Sequence, residues 1–329
     1  MVPFPALKKL NDKFSFIVII LLIPVTFHFL NSHSLFARGF EFKPGAVKSE
    51  IPFQNINGLV VIPFRLGKED INLVLDTGIR NIVLFDKSGS YGLKPETGRE
   101  ILFSGIGNES LINGKLVSEV KIESRQIEGS GLAVILIPQN DIFKNLKPKV
   151  NGLIGYDIFS KFLVSIDYKK NLLILIKPQD FTPLENYQQM DLKLIDTKPY
   201  IEPTLNFDGI NKETYKFFID SGAGYDIMLN QPTGFKNKKK KKLILGKGLT
   251  GEFQGQFYFA HNFILENFYF NNLNILIPTS GTYTVNDLMD ERDGTLGGKF
   301  LERFEKVIFD YSNNKIYFKA NHLIAIRDN

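Results

Sequence analysis

Residues 73–78 of the chain have the sequence LVLDTG, and residues 217–222 have the sequence FFIDSG. In both stretches an apolar run typical of a buried β-strand ends at an Asp, a hydroxyl residue and a Gly. A second apolar run follows each of them, NIVLF at residues 81–85 and DIML at residues 226–229. The two stretches therefore predict the same strand, turn and strand twice in one chain.

The repetition extends well beyond these two stretches. GLIG occupies residues 152–155 in the first half of the chain, and GTLG occupies residues 294–297 in the second half. The interval from the aspartate to the last of these glycines is 79 residues in the first half (76 to 155) and 77 in the second (220 to 297). Repeated order at a matched spacing indicates duplicated units. We therefore expect an N-terminal segment at residues 1–45, a first lobe at 46–180 and a homologous second lobe at 181–329.

The composition is typical of a globular, mostly β protein. Of the 329 residues, 43% are hydrophobic and 23% are charged, which argues against a disordered chain and against a multispanning membrane protein. Thirty Phe and twelve Tyr, in short apolar runs separated by Gly, Asn, Pro and Asp, favour strands over long helices. We predict an all-β fold whose convincing helices are short, one beginning near Gly155 and another near Gly297.

Glycines at positions 246, 248 and 251 fit the G-x-G-x-x-G pattern of dinucleotide-binding loops. The residues that follow continue a β pattern from Phe253 to Phe259 instead of beginning a phosphate-binding helix. The pattern therefore predicts a Gly-rich hairpin rather than a nucleotide site.

Several classes of function are excluded by composition. The chain has no Cys and only four scattered His, so disulfides, thiol catalysis and Cys-ligated metals are ruled out, and we expect neither a metal nor a cofactor. The net charge of +5 equals the charge of five consecutive lysines at positions 238–242, so the positive charge is local and nucleic acid is not an expected partner. Those lysines are typical of a solvated loop, with contact to a membrane surface as the alternative.

The N-terminus has the layout of an export signal. Lys8, Lys9 and Lys13 precede a seventeen-residue apolar run at residues 14–30, and a polar stretch follows. Since a spanning helix needs about 20 apolar residues, this run is at the short edge for a membrane anchor. A cleaved signal peptide and a retained anchor both stay open. Either one predicts an extracytoplasmic protein, membrane-anchored or secreted.

The two Asp-[Ser/Thr]-Gly stretches, each followed by a later apolar-apolar-Gly, resemble those of the aspartic peptidases. Each lobe looks like the retropepsin-like family, and the fused two-lobe layout is similar to that of pepsin. The resemblance implies closed-barrel-like lobes with an active-site cleft between them, Asp76 and Asp220 as the catalytic pair, and a flap at residues 103–107. It also implies that Thr77 and Ser221 hydrogen-bond across the lobe junction.

The pair of aspartates carries the expected chemistry. Two carboxyls about 3 Å apart cannot both ionise cheaply, so they share one proton. The ionised carboxyl then acts as a base toward a water, while the protonated one polarises the scissile carbonyl. Gly78 and Gly222 permit the tight turns that direct Asp76 and Asp220 toward each other. We expect an aspartic endopeptidase that cleaves peptide or protein substrates as a monomer, because one chain supplies both aspartates.

The residues after the two glycines depart from the family pattern in one place. They are Ile79 and Ala223, where the family often has Ala, Ser or Thr. The bulk of Ile79 favours the alternative function, a catalytically silent, exported peptide-binding or scaffold protein of the same fold. The presence of both Asp-[Ser/Thr]-Gly triplets favours the enzyme.

Overall fold

The computed structural model describes residues 39–86, 89–97, 100–103, 112–137, 141–183, 185–206, 213–230, 243–249, 251–260, 263–270, 273–279, 292–322 and 324–326. All of them belong to one compact unit, Phe36–Asn329. No helix among these residues is long and apolar enough to cross a membrane. The apolar run at 14–30 and the five lysines at 238–242 lie outside the described residues.

The predicted all-β class is confirmed, because strands dominate the described residues. Those of the first half and the segment before it are β1 (Gly39–Phe42), β2 (Lys48–Pro52), β3 (Gln54–Ile56), β4 (Leu59–Leu66), β5 (Glu69–Leu75), β6 (Ile82–Phe85), β7 (Glu100–Phe103), β8 (Ile112–Ser124), β9 (Ile127–Ile137), β10 (Gly152–Ile154), β11 (Leu163–Asp167) and β12 (Leu172–Ile176). Those of the second half are β13 (Gln188–Asp191), β14 (Lys193–Ile195), β15 (Lys198–Ile201), β16 (Thr204–Asn206), β17 (Glu213–Thr214), β18 (Phe217–Asp220), β19 (Ile227–Leu229), β20 (Leu243–Gly248), β21 (Gly251–Ala260), β22 (Phe263–Leu265), β23 (Phe268–Phe270), β24 (Leu273–Pro278), β25 (Gly294–Gly297), β26 (Lys306–Asp310), β27 (Lys315–Lys319) and β28 (Ala325–Ile326).

The two short helices form where the sequence predicts them. Helix α1 (Tyr156–Phe159) follows Gly155, and helix α2 (Gly298–Leu301) follows Gly297. The Gly-rich segment near Gly246 also forms the predicted hairpin, in which β20 pairs antiparallel with β21. Each of these elements is a local structure with a local signal, which explains why the sequence pattern identifies it.

One sheet in each half carries the Asp-[Ser/Thr]-Gly stretch, and the two sheets have matching orders over five strands, β9-β6-β10-β5-β4 in the first and β24-β19-β25-β18-β15 in the second. The first sheet runs β1-β9-β6-β10-β5-β4-β8-β7, with β3 paired to β4. The second sheet runs β14-β15-β18-β25-β19-β24-β21-β20. In each, the strand that ends at the aspartate pairs in parallel with the strand of the later glycine motif, β5 with β10 and β18 with β25.

Strand β1 lies within residues 1–45, the stretch that the sequence assigns to the N-terminal segment. It pairs antiparallel with β9, with Gly39 opposite Ser130 and Phe42 opposite Ile127. The folded part of the chain therefore begins earlier than residue 46. The short strand GFEF has no flanking pattern of its own, so its place in the sheet depends on a partner almost ninety residues away.

A third sheet, here called the shared sheet, is built from both halves. Its order is β13-β27-β26-β11-β12-β2, so β11 of the first half pairs antiparallel with β26 of the second. Val164 is opposite Phe309 at this junction, and both side chains are buried. A fourth sheet, in the order β17-β16-β22-β23-β28, completes the second half. The shared sheet holds the two halves in one unit.

Aromatic side chains fill much of the core, which accounts for the unusual number of phenylalanines. In the second half, the Phe304 ring lies 4.7 Å from that of Phe318 and 5.0 Å from that of Phe268. Between the halves, Phe159 of α1 contacts Phe309 and Tyr311, both at 5.2 Å between ring centroids. Because burying one such ring is worth about 2 to 3 kcal/mol, these contacts anchor the helix that follows the first glycine motif.

Candidate active site

The two aspartates lie at matching places, at the carboxyl ends of their strands. Asp76 directly follows β5, and its N–H donates to the carbonyl of Ile154 at 2.8 Å. Asp220 is the last residue of β18. The parallel pairing brings Gly155 so close to the first loop that a Cβ on it would overlap the carbonyl oxygen of Asp76. The glycine at the end of the GLIG motif is therefore required by the close approach of two backbone segments.

Thr77 and Ser221 join the two loops through reciprocal hydrogen bonds. The Thr77 N–H donates to Ser221 Oγ and the Ser221 N–H donates to Thr77 Oγ1, both at 3.0 Å. Each hydroxyl also donates to the strand of the opposite half, Thr77 Oγ1 to the Ile219 carbonyl at 2.6 Å and Ser221 Oγ to the Leu75 carbonyl at 2.8 Å. Both side chains are buried, so these four bonds fix the two loops relative to each other.

The turns after the aspartates hold the carboxyls in place. The Gly78 N–H donates to Asp76 Oδ1 at 2.7 Å, and the Gly222 N–H donates to Asp220 Oδ1 at 3.0 Å. The two carboxyls are adjacent, since a Cβ on Gly78 would lie 3.0 Å from Asp76 Oδ1 and 3.6 Å from Asp220 Oδ1. A hydrogen bond between them contributes to the pKa of each. A Cβ on Gly222 would overlap the carboxyl of Asp76, so a side chain at this position is incompatible with the pair. The structure thus brings together all six residues that the sequence singles out for the site.

The environment of the pair favours one retained proton. Burial, followed by repulsion from Asp220, raises the pKa of Asp76 well above its usual value. Burial also raises the pKa of Asp220, against the opposing charges of Arg292 and Lys198. The hydrogen bond between the carboxyls raises the pKa of Asp76 and lowers that of Asp220. Such a pair titrates as a unit, with one proton held between two oxygens.

The aspartates open into a cleft with a cavity volume of about 410 Å³. Residues of both halves line it, including Leu59 and Phe143 of the first half and Phe218 and Phe253 of the second. Ile79 also lines the cleft and packs against an apolar cluster of the first half. Its side chain therefore forms part of the cleft wall beside Asp76.

The hairpin of β20 and β21 contributes to the same cleft through Lys247, Gly248 and Leu249. The flap that the resemblance implies in the first half, at residues 103–107, lies outside the described residues apart from Phe103 at the end of β7. Among the described residues, no group of three or more His, Asp and Glu side chains could hold a metal ion.

The sequence pattern does not identify three charged residues of the cleft, Lys198, Lys247 and Arg292. Lys198 begins β15, and Arg292 precedes β25 by two residues. Lys198 lies 22 residues before Asp220 in sequence, and Arg292 lies 72 residues after it. No sequence motif connects either residue to Asp220. The available signal was the repeat itself, since Arg292 stands two residues before the GTLG stretch, where the GLIG stretch has Val150.

Comparisons of the chain with models of protein families and with curated proteins give no match.

Proposed function

We propose that the protein is an aspartic endopeptidase. The observation that carries this proposal is the pair of hydrogen-bonded carboxyls, Asp76 and Asp220, held at the base of a cleft by the reciprocal bonds of Thr77 and Ser221. An isolated buried carboxyl is costly, and two in contact are more costly still. A protein that maintains such a pair beside an open cleft has a shared-proton acid and base available for a bound substrate.

The proposed reaction uses the pair and one water. The ionised carboxylate accepts a proton from the water, whose oxygen attacks the scissile carbonyl carbon. The protonated carboxyl donates a hydrogen bond to the carbonyl oxygen and stabilises the negative charge that develops there. The C–N bond then breaks, and the leaving amine takes a proton from the pair. Because the two carboxyls titrate together, the acid and base roles belong to the pair.

In this proposal the two halves are duplicated, barrel-like lobes, each of which supplies one aspartate. The matching order of five strands in the first and second sheets supports the duplication. The cleft, which residues of both halves line, is of a size to take a few side chains of an extended peptide. The apolar run at residues 14–30 supports an extracytoplasmic site of action, with the segment either cleaved or retained as an anchor.

Conservative changes to the pair test the proposal. Asp76→Asn and Asp220→Asn should each abolish cleavage of a peptide library, because a shared-proton pair cannot operate with one carboxyl. Asp226→Asn is not a suitable control, since Asp226 is buried and bonded twice by Arg303. The exposed Asp70→Asn serves instead. Thermal unfolding of all three variants verifies that they are folded.

Ile79 supports a second function, that of a silent peptide-binding protein, because its side chain occupies wall space beside Asp76. Peptide binding without cleavage by the unaltered protein, unchanged in Asp76→Asn, would establish this alternative. Full cleavage activity in either aspartate variant would contradict the proposed mechanism.

A further inference from the structure

The walls of the cleft on the two sides of the aspartates differ in chemistry, and strand register shows which residues correspond. In the first sheet Val61 is opposite Val74, and in the second sheet Tyr200 is opposite Phe218. Counting along the strands from these paired residues, and from the glycine motifs, matches four positions of the second half with four of the first. Lys198, Tyr200, Phe218 and Arg292 correspond in that order to Leu59, Val61, Val74 and Val150.

The correspondence of Arg292 with Val150 follows from the neighbouring backbone. The Asn151 N–H donates to the Asn72 carbonyl at 2.8 Å, and the Asp293 N–H donates to the Lys216 carbonyl at 2.9 Å. The side chains of the same two residues accept from the N–H groups of Asn72 and Lys216, at 3.0 and 2.7 Å. These paired bonds place the preceding residues, Val150 and Arg292, at the same point of each half.

On the first-half side, all four positions are apolar. Leu59, Val61, Val74 and Val150 are buried in one hydrophobic cluster, against which Ile79 packs. Leu59 lines the cleft together with Leu153 of the same cluster. Apart from Asp76, Asn57 is the only residue with a polar side chain that the first half adds to the described lining, so the Leu59 side of the cleft is mainly apolar.

On the second-half side, the same positions form a cationic and aromatic group. The Arg292 guanidinium lies 5.1 Å from the centre of the Phe218 ring, and Lys198 Nζ lies 5.8 Å from it. The Tyr200 ring packs beside Phe218, with 5.6 Å between ring centroids. Arg292 is only 7% exposed, so its guanidinium is held in a fixed place at the cleft wall. Arginine in such a place suits the recognition of a carboxylate.

Among the described residues that line the cleft, cationic side chains outnumber ionised carboxyls. Among the described lining residues, the carboxyls are Asp76 and Asp220, which share a proton, and the cations are Lys198, Lys247 and Arg292. The charges of Lys198 and Arg292 both lower the pKa of Asp220, so they act at the catalytic pair itself. A cleft with excess positive charge favours substrates with negative charge.

We infer that Lys198, Phe218 and Arg292 form a subsite for a carboxylate of the peptide substrate, on one side of the scissile bond, while the Leu59 side takes an apolar side chain. The inference rests on the proposed function, because it assumes that a peptide lies across the pair. The carboxylate comes from a Glu or Asp side chain or from the C-terminus of a short peptide. The aliphatic and aromatic surfaces hold the stem of the group, and the two cations bind its charge.

Matched peptides test the subsite. Cleavage products of a peptide library first give the preferred residue on each side of the cut. Two peptides that differ only by Glu or Gln at the acidic position then give the ratio of their kcat/KM values at pH 6, where Glu is ionised. We expect Glu to be favoured at least about tenfold, and the ratio to fall toward one near pH 3.5, as the carboxylate is protonated. Peptides with amidated C-termini distinguish a side-chain carboxylate from a terminal one.

Variants of the wall connect the preference to these residues. Lys198→Met and Arg292→Met should each lower the Glu to Gln ratio of kcat/KM values at least about threefold. Because the ratio compares two peptides on the same variant, any effect of the lost charge on the aspartate pair cancels from it. Lys216→Met is the matched control and should keep the ratio, because Lys216 lies over the Tyr200 ring at 5.3 Å and does not line the cleft. If Arg292→Met does not fold, the ratio measured for Lys198→Met tests the subsite.

Binding of the same two peptides, followed by fluorescence anisotropy, separates failure of the inference from failure of the proposed function. Cleavage without a preference for Glu would overturn the subsite and leave the peptidase intact. Preferential binding of the Glu peptide without any cleavage would support the subsite and overturn the peptidase. An unchanged ratio in both wall variants would also overturn the subsite.

Discussion

At the scale of single residues, the site depends on glycines and hydroxyl residues that their surroundings do not allow to be replaced by another side chain. Gly222 faces the Asp76 carboxyl and Gly155 faces the Asp76 carbonyl, so neither position has room for a Cβ. Thr77 Oγ1 both donates and accepts, which Val, its closest match in shape, cannot do. A single aspartate in a turn has little meaning by itself, but these contacts give the aspartates at 76 and 220 one defined geometry.

Asp157 provides a residue-scale prediction that is separate from the pair of Asp76 and Asp220. It lies in the first turn of α1, and burial raises its pKa to about 6, against the opposing hydrogen bond from the Ile82 N–H. The pKa of Asp157 in the folded state is above its value of about 3.9 in the unfolded chain. Between these two pH values the native state therefore binds more protons than the unfolded state does. Its ionisation therefore lowers the free energy of unfolding as the pH rises from about 4 to 6, and the loss persists at higher pH.

Asp157→Asn should remove this contribution. We compare the free energy of unfolding of the variant with that of the unaltered protein. After allowance for partial exposure of Asp157, we expect this difference to shift in favour of the variant by about 1 to 2 kcal/mol from pH 4 to pH 7.5. Urea unfolding of both proteins at the two pH values gives this difference, in which the contribution of Asp76 and Asp220 cancels. An identical pH dependence in the two proteins would contradict the prediction.

At the scale of elements, the loops that carry the aspartates stabilise each other across the two halves. Each buried hydroxyl contacts the opposite half twice, once at a loop N–H and once at a strand carbonyl. Thr77→Val removes one hydroxyl and leaves the Ser221 N–H and the Ile219 carbonyl buried without that partner. Loss of a partner for a buried polar group costs about 1 to 3 kcal/mol.

We therefore expect Thr77→Val to lower the free energy of unfolding by about 2 to 4 kcal/mol and to reduce peptide cleavage by more than the change in folded population explains. Thr77→Ser, which keeps the hydroxyl, is the control and should retain most of both. Chemical denaturation and initial rates under native conditions measure the two effects. A stability loss under about 0.5 kcal/mol in Thr77→Val would show that the reciprocal bonds contribute little.

Local elements could be predicted from the sequence pattern, whereas most long-range contacts could not. The contact of Thr77 with Ser221 was expected only through the resemblance of the two Asp-[Ser/Thr]-Gly stretches to a known family. The helices after Gly155 and Gly297 and the hairpin near Gly246 have signals within a few residues. Strand β1 and the pairing of β11 with β26 depend on partners far away in sequence. Lys198 and Arg292 were not predicted for the same reason, because only the register of the strands brings both side chains to the Phe218 ring.

At the scale of the whole molecule, the shared sheet makes the two halves dependent on each other. Strands β13, β27 and β26 of this sheet come from the second half and strands β11, β12 and β2 come from the first. The two sets meet where β11 pairs with β26. Separation of the halves would expose the edges of β11 and β26, and unpaired strand edges promote aggregation. It would also remove the partner of each buried hydroxyl at positions 77 and 221. A complete site therefore requires both halves in contact.

Because one chain supplies both halves, we expect full activity from the monomer. The specific activity of the purified protein should stay constant on dilution from about 10 μM to about 1 nM, a range over which a dimer with a micromolar Kd would dissociate. Light scattering coupled to size exclusion should give the mass of one chain at the upper end of this range. Activity that falls with dilution, in step with a change of mass, would show that a second copy completes the site. A constant activity would establish that one chain alone assembles the complete pair.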